Sequence, residues 1–470
     1  MADNNVVPMP TTDTEGRTSE DRLATELAAL ERKHMRWVEP WARWMVFNGS
    51  RWVKDELNTV FERTRLYLRD VARLTMHRIV KRDVSDSELA DRKTRAGRAV
   101  KSLLSSSTIH NVARLMRYDP NIAGNVEQWD KDPWLLNTPM GTVDLRTGET
   151  RKTNPMDYIT HETSIGPMIG QPKLWFEVLK TSFNGDLKMI EYVQKIFGYC
   201  MVGETVEHQM YFAYGTGANG KGVIINTIRD VLGSYGTEAN IETFVQTQGN
   251  RHPTELAALR GSRLVTCGET DAGHRWNEAR IKQLTGGDPI KARFLYQDEF
   301  EYRPQFKLFL AGNHKPRLGN VDEAIQRRFR LLPFTHTVPA NKRDPYLTQK
   351  LRDEWPYILT WAIEGATKWR AEGLHAPEVV MAATTQYLTQ EDATMTWLGE
   401  CTEFGLGDTV YTPLQDLYDS WRKWAADNGE QPGTKRSIGA ILEDREPLLQ
   451  IKKHRRGNMG FLGIQLKVNK

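Results

Sequence analysis

Cysteine is scarce in this chain. Three occur among 470 residues, Cys200, Cys267 and Cys401, far apart and odd in number. That excludes a disulfide framework and a cysteine zinc site, and it points to a reducing, cytoplasmic setting. Long hydrophobic runs are absent too. No apolar stretch approaches the length of a bilayer span, and the N-terminus lacks an apolar signal core, so a membrane partner is not expected. Internal repeats and long low-complexity segments are missing, which excludes solenoid and fibrous architectures. Net charge is only +4, so the molecule as a whole is not a polycation.

What is present is 39% hydrophobic and 26% charged residues, the balance of a globular protein long enough for more than one domain. The stretch Gly215, Thr216, Gly217, Ala218, Asn219, Gly220, Lys221, Gly222 has the spacing of a phosphate-cradling loop, with glycine where a serine or threonine is usual. Before it, Met210 to Tyr214 is short, aromatic and bounded by glycine, and reads as a buried strand. After it, Ile224, Ile225, Ile228, Val231 and Leu232 fall on one helical face, with Gly233 as a stop. Backbone N–H groups freed by the glycines can turn toward an anion at the helix N-terminus, and Lys221 adds a full charge for the β- and γ-phosphates. The plainer reading, a glycine-rich turn without a ligand, does not account for a lysine at this spacing in a strand–turn–helix. Gly222 has no hydroxyl for Mg²⁺. The ion could be held through water and phosphate oxygens, with Thr216 and Asn219 as nearby polar candidates.

Residues 1–35 read as a polar, disordered tail. Trp37, Trp41, Trp44 and Trp52 crowd a segment in which Asn48-Gly49 predicts a tight hairpin turn. Helical, basic sequence runs from Asp55 to about Met116, strand and turn from Asp130 to Thr150, and helix from Trp175 to Val202. Most of these aromatics are expected in the core.

An ATPase also needs a carboxylate for the attacking water, a polar group near the γ-phosphate and a cation for transition-state charge. Glu269 follows the strand candidate Leu264 to Cys267, where sheet-based sites place catalytic groups, with Asp271 as a second choice. Alone it would read as a surface turn residue. Asn313 ends the strand candidate Phe306 to Ala311, where a turn asparagine bonded to its own backbone is the plainer reading. Arg327 and Arg328 precede Phe329 to Phe334, and alone would be a solvated basic turn. Each signal is weak by itself; their order after the loop makes the set specific.

Taken together, Gly215 to Gly222, Arg263 to Glu269, Lys282 to Asp288, Asn313, and Arg327-Arg328 with Pro333-Phe334 resemble the superfamily 3 helicases, above all the helicase part of phage and plasmid primases and of poxvirus-type primase-helicases. Trp134 to Gly148 resembles the domain that precedes the ATPase in that family. The resemblance covers roughly residues 35 to 340. It implies an α/β fold: an AAA+ P-loop core with a central parallel sheet, preceded by an N-terminal α+β domain. It further implies ATP with Mg²⁺, a head-to-tail ring, a homo-hexamer, and movement along single-stranded DNA. ATP would lie between subunits, with Lys221, Glu269 (also toward Mg²⁺) and Asn313 from one. The next would give an arginine finger, Arg328 ahead of Arg327. The family's DNA-contacting hairpin would span about 290–303, with Lys291 and Arg293 as contacts and an acidic tip. Because only about 35 residues precede the resemblance, no primase activity is expected, and a separate primase or polymerase becomes a partner.

From Glu430 to Lys470 nine Lys/Arg face four Asp/Glu, an excess of five that exceeds the whole chain's. The pattern there is helix, helix, then two strands around a basic turn, the layout of a winged helix. Lys435, Arg436, Lys452, Lys453, Arg455 and Arg456 are its candidate DNA contacts; a basic face that docks on a protein is the plainer alternative. The expected divisions are 1–35 tail, 36–165 N-terminal domain, 170–345 ATPase, 346–395 helical connector and 396–470 winged-helix-like domain. The leading function is an ATP-dependent replicative DNA helicase of a phage or mobile element acting on single-stranded and forked DNA. The alternative is a replication adaptor whose nucleotide site is structural or a switch.

Overall fold

The computed structural model describes residues 19–79, 85–246, 254–268, 274–295, 298–318, 321–430 and 432–467. The chain divides into two compact units, 1–169 with 231–235, and 170–230 with 236–470.

In the first unit the expected tail is partly wrong. Residues 1–18 lie outside the described residues, but Glu20–Glu31 is a helix. Ser19 caps it by accepting from the Arg22 backbone N–H at 3.2 Å, and Leu23, Ala24, Leu27 and Ala28 are buried. An apolar stripe at spacing four plus a serine cap drives this. The tryptophan segment forms the predicted hairpin: Arg43–Phe47 pairs antiparallel with Trp52–Lys54, with Phe47 opposite Trp52. The Asn48 side chain accepts from the backbone of Ser50 and Arg51, which fixes the turn. Helices Thr59–Ile79, Asp86–Leu103 and Ser106–Leu115 follow, then a three-stranded meander of Leu135–Thr138, Gly141–Asp144 and Glu149–Arg151. The return of 231–235 to this unit was not foreseen. It arises at Gly233, where an added Cβ would lie 2.6 Å from the Glu162 carbonyl, and at Tyr235, whose hydroxyl accepts from the Asn137 N–H at 3.1 Å.

The second unit is built on five strands, β1 (Met210–Tyr214), β2 (Gly236–Ala239), β3 (Leu264–Cys267), β4 (Lys307–Gly312) and β5 (Phe329–Pro333). Their order is β5–β1–β4–β3–β2, and every neighbouring pair is parallel. The central strands are buried runs without alternation, as a parallel sheet covered on both faces requires. Phe212, Val265, Leu308, Leu310 and Leu331 join Trp276, Ile281 and Leu284 in one core. Helix Leu187–Met201 is almost wholly buried and packs on helix Trp355–Glu372. Their backbones meet at two glycines: an added Cβ would lie 2.0 Å from the Ala366 nitrogen at Gly198 and 2.1 Å from the Gln194 carbonyl oxygen at Gly365.

The stretch expected to be a connector is instead part of this packing. Helix Trp355–Glu372 covers Leu187–Met201, and helix Glu378–Gln390 lies on β5, where the Thr384 hydroxyl accepts from the Leu331 N–H at 3.0 Å. Farther on, helices Leu414–Asp427 and Lys435–Asp444 precede the hairpin Lys452–Arg456 with Asn458–Leu462. Tyr411–Pro413 adds a third strand beside Asn458–Leu462. Trp397, Leu417, Trp421, Ile438, Leu442 and Phe461 form a core of their own here. Thr434 caps the second helix in a capping box with Ser437. No helix among the described residues is long and apolar enough to cross a membrane.

Candidate nucleotide site

The sheet order brings the candidate residues together. The chain leaves β1 for the far edge at β2 and returns through β3 to β4, which pairs with β1; β5 then takes the other side. The reversal of order at β1 opens a crevice beyond the strands' carboxyl ends, where open α/β sheets bind ligands.

The loop 215–220 occupies that crevice. Gly215 and Gly220 are fixed by close approach: an added Cβ would lie 2.1 Å from the Phe334 carbonyl oxygen at the first, and 2.1 Å from Ser182 Oγ at the second. Ala218 holds a positive φ of 49°, an uncommon conformation for a residue with a Cβ and one that clusters at ligand-binding turns. Asn219, 2% exposed, donates to the Phe334 carbonyl at 2.9 Å and accepts from the Lys221 N–H at 3.4 Å. The Val338 N–H donates to the Ala218 carbonyl at 2.8 Å. The segment 334–338 after β5, of which the sequence reading marked only Phe334, therefore ties down the loop's outer side.

Lys221 begins helix Lys221–Val231 and is 6% exposed. Its Nζ donates to the Gly215 carbonyl and to Asn313 Oδ1 at 3.0 Å. Asn313 follows β4, whose Gly312 pairs with Tyr214 of β1. Adjacent strand tips thus carry the lysine and the amide. Lys315, two residues on, was missed by sequence reasoning. Its Nζ sits 4.2 Å from the Tyr214 ring centroid, and burial lowers its pKa. A lysine just beyond a strand-tip asparagine is the signal that could have found it.

Glu269 and Asp271 lie outside the described residues. What is described is their approach: β3 ends at Cys267, in register with Leu310 of β4.

Arg327 and Arg328, expected as finger candidates with Arg328 ahead, follow the short helix Glu323–Gln326. Arg328 is 8% exposed, its Nε donates to Thr285 Oγ1 at 3.1 Å and its guanidinium also donates to the Ala324 carbonyl at 2.8 Å. Burial, with Arg327 beside it, lowers its pKa. Arg327 is exposed. Both line a pocket of about 660 Å³ with Lys282, Arg330, Glu207 and Asp288. Lys282 is ion-paired with Asp322.

The expected hairpin is present as Ile290–Ala292 against Phe300–Tyr302. Lys291 is exposed, but Glu301 stands directly opposite, 3.7 Å away, which offsets its charge. Arg293 is half-buried. Gln297 of the expected tip lies outside the described residues, while Asp298 and Glu299 are exposed. Phe294 stacks on Phe300 at 5.6 Å and leaves Leu295 exposed beside it. Of the C-terminal candidates, Arg436, Lys452 and Arg455 are exposed. Lys435 donates to Gln415 at 2.9 Å, and Lys453 pairs with Glu443 at 2.6 Å. Arg456 ends its strand, paired in register with Asn458.

The donors fit a triphosphate: a glycine-lined turn, a helix N-terminus and a lysine. They do not fit Mg²⁺ in the usual way, because position 222 offers no side chain. No cluster of three or more metal-ligating side chains occurs among the described residues.

Residues 21–198 match the family described as D5 N terminal like, and 213–328 match a family of unknown function, DUF5906. A putative helicase of Acanthamoeba polyphaga mimivirus is 27% identical over 347 residues, which takes in 68% of this chain and 35% of that protein. A putative helicase of Frog virus 3 is 27% identical over 272 residues, 53% of this chain and 27% of that protein. Primase D5 of fowlpox virus is 26% identical over 161 residues, 33% of this chain and 20% of the relative. The chain thus spans between a fifth and about a third of the length of these relatives. Among solved structures, the apo NrS-1 C-terminal region shares the fold with a TM-score of 0.51 at 10% identity, over 96% of this chain and all of that one.

Proposed function

We propose, for a chain that fits a primase-helicase-like superfamily 3 helicase, an ATP-dependent replicative DNA helicase of a phage or other mobile element. It forms a ring and translocates on single-stranded DNA. One observation carries the reading: Lys221 Nζ and Asn313 Oδ1 meet at 3.0 Å across the tips of two paired strands. Helicase-named relatives imply a nucleotide and a divalent metal in general. On this reading the loop N–H groups and Lys221 bind the β- and γ-phosphates, Asn313 orients the γ-phosphate or the attacking water, and Glu269 polarises that water. Arg327 enters the neighbouring subunit's site. A contact that joins one subunit's loop to the next one's arginine is head-to-tail and closes by repetition, here as a homo-hexamer.

The AAA+ assignment of the core and the winged-helix assignment of 396–470 belong to the same proposal. The second is supported by the helix–helix–hairpin order and by Arg436, Lys452 and Arg455 on its exposed side. Forked DNA is the substrate. Strand displacement with full-length protein tests the reading: activity in the wild type and none in Glu269→Gln, with ATP binding kept, is the expected outcome. A second reading, a DNA-binding adaptor with a switch nucleotide site, is favoured by Gly222 alone. It predicts negligible turnover in both forms.

A further inference from the structure

The first unit holds a run of positive charge that the nucleotide site does not use. From Arg92 through Tyr118 there are seven Lys/Arg and no Asp/Glu, an excess larger than the whole chain's +4. The run begins on helix Asp86–Leu103, where Ala96 and Leu103 are buried and Val100 packs on the unit's core. With 3.6 residues per turn, Arg98 points away from that side, and Arg95 and Lys101 flank it at three-residue spacing. All three are exposed. Arg117, near the end of the run, is spent instead on the Trp37 ring, 3.9 Å from its centroid.

This pattern does not stabilise the helix, because like charges three residues apart repel. Other exposed or half-exposed arginines of these helices are held by carboxylates: Arg65 by Glu62 at 2.5 Å, Arg73 by Asp70 at 3.0 Å and Arg92 by Glu88 at 2.9 Å. Beyond Asp91 the helix supplies no carboxylate for Arg95, Arg98 or Lys101. On the same side stand Thr94, Gly97 and Ser102, all exposed. A Cβ at Gly97 would meet nothing within 4 Å, and its φ lies outside the left-handed region, so neither space nor conformation calls for a glycine that mid-helix disfavours. Side chains this small let an anion come close between the cations. A protein partner would want an apolar or aromatic anchor at the centre of the face, and a single strand would want rings on which to stack its bases. The helix contains no aromatic residue, and none of its Leu or Val side chains is exposed. Resting on the DNA-directed reading above, we propose that this face is a second DNA surface, which holds the phosphate backbone of duplex DNA without reading its bases.

The test is fluorescence anisotropy of a labelled duplex, and of a single strand of equal length, bound by the full chain across a salt series. The variant Arg95→Gln/Arg98→Gln/Lys101→Gln is compared with Arg65→Gln/Arg73→Gln/Arg92→Gln, which removes the same charge from ion-paired positions. Each phosphate neutralised on a duplex adds ~0.9 to the slope of log K against log salt, so the first variant should lower the duplex slope by about 2.7. The second should keep the slope near that of the wild type, and both should keep the wild-type circular dichroism. The inference is overturned by an unchanged duplex slope in the first variant, by an equal fall in both variants, or by a fall as large or larger on the single strand. A wild type that binds only the single strand also overturns it and leaves the DNA reading standing. A wild type that binds neither overturns the DNA reading and this inference with it.

Discussion

Lys221 and Asn313 are hydrogen bonded, Nζ to Oδ1 at 3.0 Å, although they stand 92 positions apart in the chain. The contact exists because β1 and β4 are neighbours in the sheet, so a loop lysine and a strand-tip amide reach the same point. A triphosphate placed there would take the lysine, and the amide would then face the γ-phosphate.

Asn313→Ala should therefore act on turnover more than on binding. ATP hydrolysis should fall by about a hundredfold, the size of losing one aligned donor, while nucleotide affinity changes little. Steady-state kinetics beside a binding titration checks this. Weakened affinity with unchanged turnover would assign Asn313 to binding.

The two adjacent arginines should separate cleanly. Arg327→Ala should retain nucleotide binding and lose about a thousandfold or more in hydrolysis, the effect of removing a finger. Arg328→Ala leaves Thr285 Oγ1 and the Ala324 carbonyl without their buried donor, and should cost about 1–3 kcal/mol of stability. Thermal melts and hydrolysis rates on both variants decide the assignment, and a fully active Arg327→Ala would return the role to Arg328.

Lys307 opens β4 and is 2% exposed. Its ammonium group bonds the Val202 carbonyl and lies 4.4 Å from the Tyr199 ring centroid, close to Arg263. Burial lowers its pKa from 10.5 to about 7. The depressed value means the unfolded chain binds the proton first as pH falls. Stability from this group is thus fully present above pH 10.5, declines as pH drops toward 7, and is flat below that. Lys307→Met should flatten the rise in melting temperature between pH 7 and 10. An unchanged slope would show that Lys307 stays charged in the fold.

Salt dependence should reveal which C-terminal cations meet DNA. Arg436, Lys452 and Arg455 are exposed, whereas Lys435 and Lys453 are engaged by Gln415 and Glu443. Each phosphate that a cation neutralises on a single strand adds ~0.7 to the slope of log K against log salt, so removing the first three together should reduce that slope by about 2. A slope unchanged in the triple variant would place DNA elsewhere.

Much of this was legible in the sequence, because the loop, the three strand candidates and the tryptophan hairpin each rest on local pattern. Short apolar runs bounded by glycine gave β1, β3 and β4, and Asn48-Gly49 gave the turn. What failed was non-local. Nothing in the sequence says that 231–235 returns to the first unit, that Trp355–Glu372 covers a buried helix, or that Phe334 and Val338 bond the loop. The burial of Arg328 was illegible for the same reason, since it depends on Thr285, 43 residues away. The missed helix Glu20–Glu31 is different: Ser19 and the Leu23/Leu27 spacing were readable, and the polar residues ahead of them obscured the boundary.

The most direct test of the central claim is ATP hydrolysis by full-length protein with and without single-stranded DNA, wild type beside Lys221→Ala. The account predicts hydrolysis that DNA stimulates in the wild type and its loss in the variant, with the fold intact by circular dichroism. Equal hydrolysis by a folded Lys221→Ala protein, or none by the wild type with DNA present, would contradict it.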